Sequence, residues 1–338
     1  MSRPPGAKVT VRAIAAEAGV SIATVSRVMN GHVQVTPETQ ELVRQAVSRL
    51  GAPAPARRRQ TAGAIFVRCP YVLTDYFGLI VSSIAETLSL HGRRLILDAG
   101  EAAQHTPVLR SLAPDPAVAG AILILPPEPG EELEALHAQG FPFVVVDPRT
   151  LLPRDVASVS AAHLAGARSV TAHLTALGHR RIGVIGGPAD WLAGEQRLAG
   201  HTSALADAGI LAGPELVRRI PPTVQGGYTA GCAFLDLAQR PTALVAFNDK
   251  AAVGALRAAH QRGLRVPQDL SIAGFDDIDL SRSTDPMLTT VRQPLEEMSR
   301  IAVSLLMRLL EGHGVETLHI ELATHLIVRG STGPAPRT

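Results

Sequence analysis

The stretch Ala18-Gly19-Val20-Ser21-Ile22-Ala23-Thr24-Val25-Ser26-Arg27-Val28-Met29-Asn30-Gly31 decides how the N-terminal end of this chain is read. Gly19 can take positive φ and so permits a tight turn after a helix. Ser21 is suited to cap the next helix, Ile22 to Met29, in which Val25, Val28 and Met29 are spaced for one buried face. Asn30-Gly31 stops it. Upstream, Thr10 can cap a first helix with apolar positions Val11, Ile14, Ala15 and Ala18. Downstream, Thr36-Pro37-Glu38 places a cap, a proline and an acid at a third helix start. Leu42, Ala46, Val47 and Leu50 supply its inner stripe, and Gly51 closes it. Two short helices about a glycine turn predict a helix-turn-helix, whose second helix enters the major groove of DNA.

Charge supports a polyanionic partner for this head. Residues 1–60 hold nine Arg and Lys against Glu17, Glu38 and Glu41, a net +6, whereas the rest of the 338-residue chain carries −4. The head has no Phe, Tyr or Trp, so bases cannot stack on aromatic side chains there. Double-stranded DNA is therefore favoured over single strands or RNA.

Next comes Ala52-Pro53-Ala54-Pro55-Ala56-Arg57-Arg58-Arg59, a stiff basic connector. Beyond it, apolar runs alternate with helical patterns. The runs are Ala64–Val67, Arg94–Leu97, Ala121–Leu125, Phe143–Val146, Ile182–Ile185, Ala243–Phe247 and Leu270–Gly274, and a helix spans Tyr76–His91. This alternation predicts parallel sheets covered on both faces, with ligands at the carboxyl ends of the strands.

The Ala18–Gly31 stretch, with its turn, Thr-Val-Ser-Arg core and Asn-Gly stop, resembles the lactose-repressor/galactose-repressor (LacI/GalR) family of transcription regulators. The resemblance implies that Ile22, Ala23 and Arg27 read base edges. Ile22 and Ala23 can make only apolar contacts, whereas Arg27 can bridge guanine O6 and N7. A phosphate contact or a surface pair with Glu17 is the alternative for Arg27. Thr10, Ser21, Thr24, Ser26, Asn30 and Arg57, Arg58 and Arg59 are expected at phosphates and the DNA backbone. The connector departs from the family, since no Leu lies between Gly51 and Gly63 to wedge into the minor groove. A flexible basic linker is the alternative to a hinge helix.

The resemblance runs on through Leu177-Gly178-His179-Arg180-Arg181-Ile182, Ile185-Gly186-Gly187-Pro188, Arg197-Leu198-Ala199-Gly200, Asn248-Asp249, Gly274-Phe275-Asp276-Asp277 and Leu288-Thr289-Thr290-Val291-Arg292-Gln293-Pro294. It implies an N-terminal all-α helix-turn-helix domain plus an α/β two-lobed, periplasmic-binding-protein-like (type I) effector domain. The expected division is 1–51 for the head, 52–62 for the hinge, 63–332 for effector binding and dimerisation, and 333–338 for a tail. Within the body, one lobe takes about 63–160 and 291–320, the other about 161–290 and 321–332. Asp147, Asn248 and Asp276 follow predicted strands, and Arg197 is the family's position for an anchoring guanidinium. Carboxylates, an amide and a guanidinium can each engage two hydroxyls of a polyhydroxylated ligand. Tyr76, Phe77, Trp191 and Phe247 could form an aromatic wall; Gln293 completes the expected effector set. Core packing remains the alternative for Trp191.

No catalytic constellation, phosphate loop or Gly-x-Ser-x-Gly elbow is present. Asp276, Asp277 and Asp279 lack a calcium loop around them. His163, His173 and His179 lack metal spacing, and His179 is expected to complement a helix C-terminus. No cofactor or metal is expected. Two cysteines, no signal-peptide core and no membrane-spanning run point to a cytoplasmic protein, associated with the bacterial nucleoid when bound to its operator. One head makes too few contacts, so a homodimer on a pseudo-palindromic operator is expected, and the lack of C-terminal heptads argues against a tetramerising helix. The expected function is a repressor of carbohydrate-utilisation genes gated by a sugar or related effector, with a purine or phosphosugar open. The alternative is a solute-binding protein for transport.

Overall fold

The computed structural model describes residues 11–29, 36–50, 63–211, 213–313 and 318–336. The chain divides into two units between Ala62 and Gly63.

The first unit contains α1 (Val11–Ala18), α2 (Ile22–Met29) and α3 (Pro37–Arg49). Gly19, at φ +65°, makes the turn between α1 and α2. Ser21 Oγ accepts from Thr24 N at 3.0 Å, and Thr36 Oγ1 accepts from Thr39 N at 3.4 Å, so both expected caps form. Ile14, Ala15, Ala18, Val25, Val43, Ala46 and Val47 make the core. Leu42 does not belong to it, contrary to expectation: it is 51% exposed, and Val43 is fully buried. The α3 stripe follows positions 43, 46, 47 and 50, the spacing of a 3.6-residue turn, which leaves 42 on the outer edge. The expected capping at Thr10, the Asn30-Gly31 stop, the Gly51 stop and the whole connector lie outside the described residues.

The second unit has two lobes. The first lobe holds a six-stranded parallel sheet in the order β11-β5-β4-β3-β1-β2. Its strands are β1 (Ala64–Cys69), β2 (Leu95–Ala99), β3 (Val118–Ile124), β4 (Phe143–Val146), β5 (Ser158–Ala161) and β11 (His319–Leu322). Strand alternation divides its apolar residues between two faces. Ile122 and Ile124 pack with residues of α4 (Asp75–Leu90) and α11 (Leu295–Leu310), while Ala121 and Leu123 pack with α5 (Leu109–Leu112) and α6 (Gly130–Ala138). β2 is an exception to the expected double covering. It is an edge strand, with Ile96 and Leu97 42% and 41% exposed.

The second lobe holds a four-stranded parallel sheet, β7-β6-β8-β9, made from β6 (Ile182–Gly186), β7 (Val217–Arg219), β8 (Ala243–Ala246) and β9 (Ser271–Ala273). Its helices are α7 (His163–Ala176), α8 (Leu192–Asp207), α9 (Val224–Leu235) and α10 (Asp249–Gln261). Glycine permits the close approach of α9 and α10: a Cβ on Gly227 would stand 2.0 Å from the Ala251 carbonyl oxygen. β10 (Thr290–Arg292) and β12 (His325–Ile327) form a separate antiparallel pair.

The chain passes between lobes after β5, between β10 and α11, and between β11 and β12. Asp277 gathers this region, accepting from Arg329 at 2.5 Å, Arg292 at 2.6 Å and Ser281 at 3.1 Å. The expected tail at 333–338 starts too early. Ser331 O accepts from Ile272 N at 2.9 Å, and Ala335 N donates to Leu177 O at 2.9 Å, so this segment covers the edge of β9 and the end of α7. His179 serves that closure rather than a helix C-terminus. Its ring bonds Thr242, Ser271 and the Gly333 carbonyl, and burial holds its pKa below the ordinary histidine value.

Candidate functional site

Two places in the chain carry candidate chemistry. In the head, Ile22 opens α2 and is 48% exposed, and Ser21 and Thr24 lie beside it with their hydroxyls 2.8 Å apart. Glu17, the considered partner for Arg27, instead lies 3.5 Å from Arg49. Ala23, Ser26 and Arg27 fall within α2, but their side chains lie outside the described set, as do Thr10, Asn30, Arg57, Arg58 and Arg59 altogether.

In the second unit, the carboxyl ends of strands from both lobes face one cleft. Asp147 follows β4 with φ +53°, and Asp276 follows β9 with φ +119°. Both take backbone conformations that L-residues rarely adopt, which turns their carboxylates off the strand ends and into the cleft. Asn248 follows β8 as the cap of α10, accepting from Ala251 N at 2.9 Å and donating to Pro222 O at 3.3 Å. Trp191 precedes α8, which carries Arg197 in its second turn; Tyr76 and Phe77 open α4.

The cleft holds about 560 Å³ of space between atoms, part of it open to solvent. Tyr76, Phe77, Asp147, Trp191, Arg197, Phe247, Asn248 and Asp276 line it together. Gln293 does not; it stands behind Asp276, donating to Oδ1 at 2.7 Å. Lys250 was missed, although it lies in the first turn of the helix after Asn248. Its Nζ donates to Thr74 Oγ1 at 2.6 Å across the mouth. Arg149 pairs with Asp190 at the same level, and Leu192 N donates to Arg149 O at 2.8 Å. Trp191 meets Tyr71 edge-on, with ring centroids 5.8 Å apart, and meets Phe247 at 6.1 Å.

Arg197 is held by contacts within the protein. Its guanidinium lies 3.7 Å over the Phe275 ring and 4.5 Å over that of Phe247, and it donates to the Phe247 carbonyl. It is 3.8 Å from Asp276 Oδ1. The two carboxylates are driven in opposite directions. Burial works against charge on Asp147, but His163 and Arg197 outweigh it and hold its pKa below the ordinary carboxylate value. Burial pushes Asp276 up to about 7 against the opposing pull of Arg197 and Gln293. Asp249, also unforeseen, is buried behind the cleft, where it accepts from Thr290 Oγ1 at 2.5 Å and Ile278 N at 3.0 Å. Burial and the neighbouring Asp276 raise it well above the ordinary value. One buried acceptor remains without a partner here, Gln293 Oε1. The cleft thus presents an anionic carboxylate, a poised one, a fixed guanidinium, an amide and aromatic faces. This set can hydrogen-bond hydroxyls and pack against a ring, and it contains no activated nucleophile. Among the described residues, no group of three or more His, Cys, Asp or Glu could hold a metal ion, and no helix is long and apolar enough to cross a membrane.

Comparison with known proteins agrees with both halves. Residues 10–51 match the bacterial regulatory proteins of the lacI family, and residues 171–332 match the periplasmic binding protein-like domain. The HTH-type transcriptional regulator MalR of Streptomyces coelicolor is 36% identical over 96% of this chain and 96% of its own length. The solved complex of the transcriptional regulator CelR with cellobiose superposes with a TM-score of 0.73 at 31% identity, covering 96% of this chain and 100% of that one. The lac repressor dimer bound to operator and the anti-inducer ONPF gives 0.71 at 28% identity, covering 97% and 100%. A head that matches the lacI-family regulatory proteins, a body that matches the periplasmic binding protein-like domain, and transcription regulators matched along nearly their whole length show that the chain belongs to the LacI family of DNA-binding transcription regulators.

Proposed function

We propose that this regulator is a repressor of carbohydrate-utilisation genes whose effector is a sugar or related polyhydroxylated metabolite, bound in the cleft by Asp147, Arg197, Asn248 and Asp276. The observation that carries this reading is the convergence of those four groups with Tyr76, Phe77, Trp191 and Phe247 around one cavity. Carboxylates and guanidinium can each bridge two hydroxyls, and the rings can pack on the apolar face of a sugar. Gln293 acts indirectly, by orienting Asp276.

The head binds the operator with Ile22, Ala23 and Arg27 at base edges. Thr10, Ser21, Thr24, Ser26, Asn30 and Arg57–Arg59 bind phosphates and the DNA backbone. One head makes few contacts, so a homodimer reads a pseudo-palindromic operator, in the cytoplasm and at the nucleoid. The domain assignment follows: 1–51 reads DNA, 52–62 joins, and the two lobes sense the effector. Effector and operator then oppose each other through a coupling free energy, which must be reciprocal.

The test is a thermal-shift screen of the full chain against cellobiose, other mono-, di- and oligosaccharides, phosphosugars and purines, followed by a gel-shift assay with the effector that binds. Binding raises apparent stability by mass action. A sugar that stabilises the chain and releases operator DNA supports the reading. Stabilisation by purines alone, with saccharides inert, refutes it.

A further inference from the structure

We propose that His163 is a positioning residue that joins the two lobes through the floor of the cleft, setting the Asp147 carboxylate of one lobe against the Arg197 guanidinium of the other. It rests on the assignment of the cleft as the effector site. His163 is the first residue of α7, immediately after the chain leaves β5 for the second lobe. Its side chain is 2% exposed. Nε2 is 2.6 Å from Asp147 Oδ1, and Nδ1 is 3.2 Å from Arg197 Nη2 and 3.4 Å from Nε.

These contacts determine the imidazole's proton. Arginine has only donors and stays charged, so Nδ1 must be the unprotonated acceptor. Nε2 then carries the hydrogen and donates it to Asp147. Tyr76 donates to the other carboxylate oxygen at 3.0 Å, so both oxygens of Asp147 are oriented by protein hydrogen bonds. Arg197 is fixed on its far side by Phe247 and Phe275. A neutral imidazole of one tautomer therefore connects two charges that line the cleft. The contacts at the mouth do not replace it. Arg149–Asp190 and Lys250–Thr74 are exposed, and such pairs hold little.

Two measurements on the full chain test this without any sugar, so their outcome is independent of whether a saccharide binds. Long-range ¹H–¹⁵N correlation with ¹⁵N-labelled histidine, with the His163 signal identified by its loss in His163→Gln, should show a neutral ring protonated at Nε2. An imidazolium or an Nδ1–H ring overturns the proposal. Trp191, the sole tryptophan, packs against Tyr71 across the lobes and reports their separation by its emission and acrylamide quenching. His163→Ala should shift emission to the red and raise quenching, because losing a charge-assisted hydrogen bond changes the closed-to-open ratio about tenfold. Asp147→Ala should do the same, and the double variant should add nothing further. His163→Gln, whose amide can still donate to Asp147, should stay close to the parent. Additive effects, or a glutamine as damaging as alanine, overturn the proposal. If the alanine variant does not fold, the tautomer and the glutamine variant still decide.

Discussion

Asp276→Asn should stabilise the protein above neutral pH while removing its response to effector. The Asp276 carboxyl is buried and pushed from its ordinary 3.8 up to about 7. A carboxyl raised in the folded state binds protons that the unfolded chain releases. Its contribution is therefore most favourable below about pH 3.8 and is lost as pH rises towards about 7. At about 1.36 kcal/mol per pH unit, the full loss is on the order of 4 kcal/mol, of which about 3 kcal/mol falls between pH 5 and pH 8. Asparagine has nearly the same shape and keeps an oxygen for the Gln293 amide, whose bond measures 2.7 Å, but it carries no charge. The variant's stability relative to the parent should thus rise by about 1–3 kcal/mol between pH 5 and pH 8, on the order of the loss that the parent suffers over that range. Thermal unfolding of the larger unit, followed by calorimetry at both pH values, measures this difference. An unchanged gap between parent and variant across that range would refute the burial argument. In the gel-shift assay the same variant should bind operator and fail to release it, a gain in stability against a loss of function.

Arg197→Ala should weaken the effector about ten- to hundredfold by calorimetric titration, the value of a buried charge-assisted hydrogen bond, while operator affinity without effector stays near that of the parent. Arg27→Ala should cost about 1–3 kcal/mol on the operator and relax preference at one base pair, as read by binding to a library of single-base variants. In the head, Val43→Ala should lower stability by about 1–2 kcal/mol, whereas Leu42→Ala should stay within about 0.5 kcal/mol, because only Val43 is buried. Equal losses from the two substitutions would place the α3 stripe incorrectly.

Much of the fold was legible because local signals agreed with one another. Gly19, Ser21 and Thr36 supply a turn and two caps in contiguous sequence, and each does so in the structure. The apolar runs that became β1, β3, β4, β6, β8 and β9 announced themselves because strands buried on both faces need no polar alternation. β5, Ser158-Val159-Ser160-Ala161, escaped notice because it is half polar, and β7, β10, β11 and β12 likewise mix polar with apolar residues, so none forms a continuous apolar run. Leu42 was misplaced for the opposite reason. Leucine is a strong apolar signal, but a shift of one residue turns a helical side chain by 100°, and neighbouring helices select the face.

The sequence by itself pointed to a class of partner for each part: a basic head without aromatics to duplex DNA, and strand-end Asp147, Asn248 and Asp276, with Arg197, to the small polar ligand proposed above. The readings of the head and of Asp147, Asn248 and Asp276 rest on charge, residue type and spacing along the chain, all local quantities, whereas Arg197 rests on the family resemblance. Only the tertiary structure decided which side chains act together. It seated Gln293 behind Asp276, brought Lys250 to Thr74 and placed His163 between Asp147 and Arg197. It also separated two chemically identical carboxylates into an anionic Asp147 and an Asp276 poised near neutrality. Burial and neighbouring charge control that difference, and both arise only when distant segments of the chain enclose the same volume.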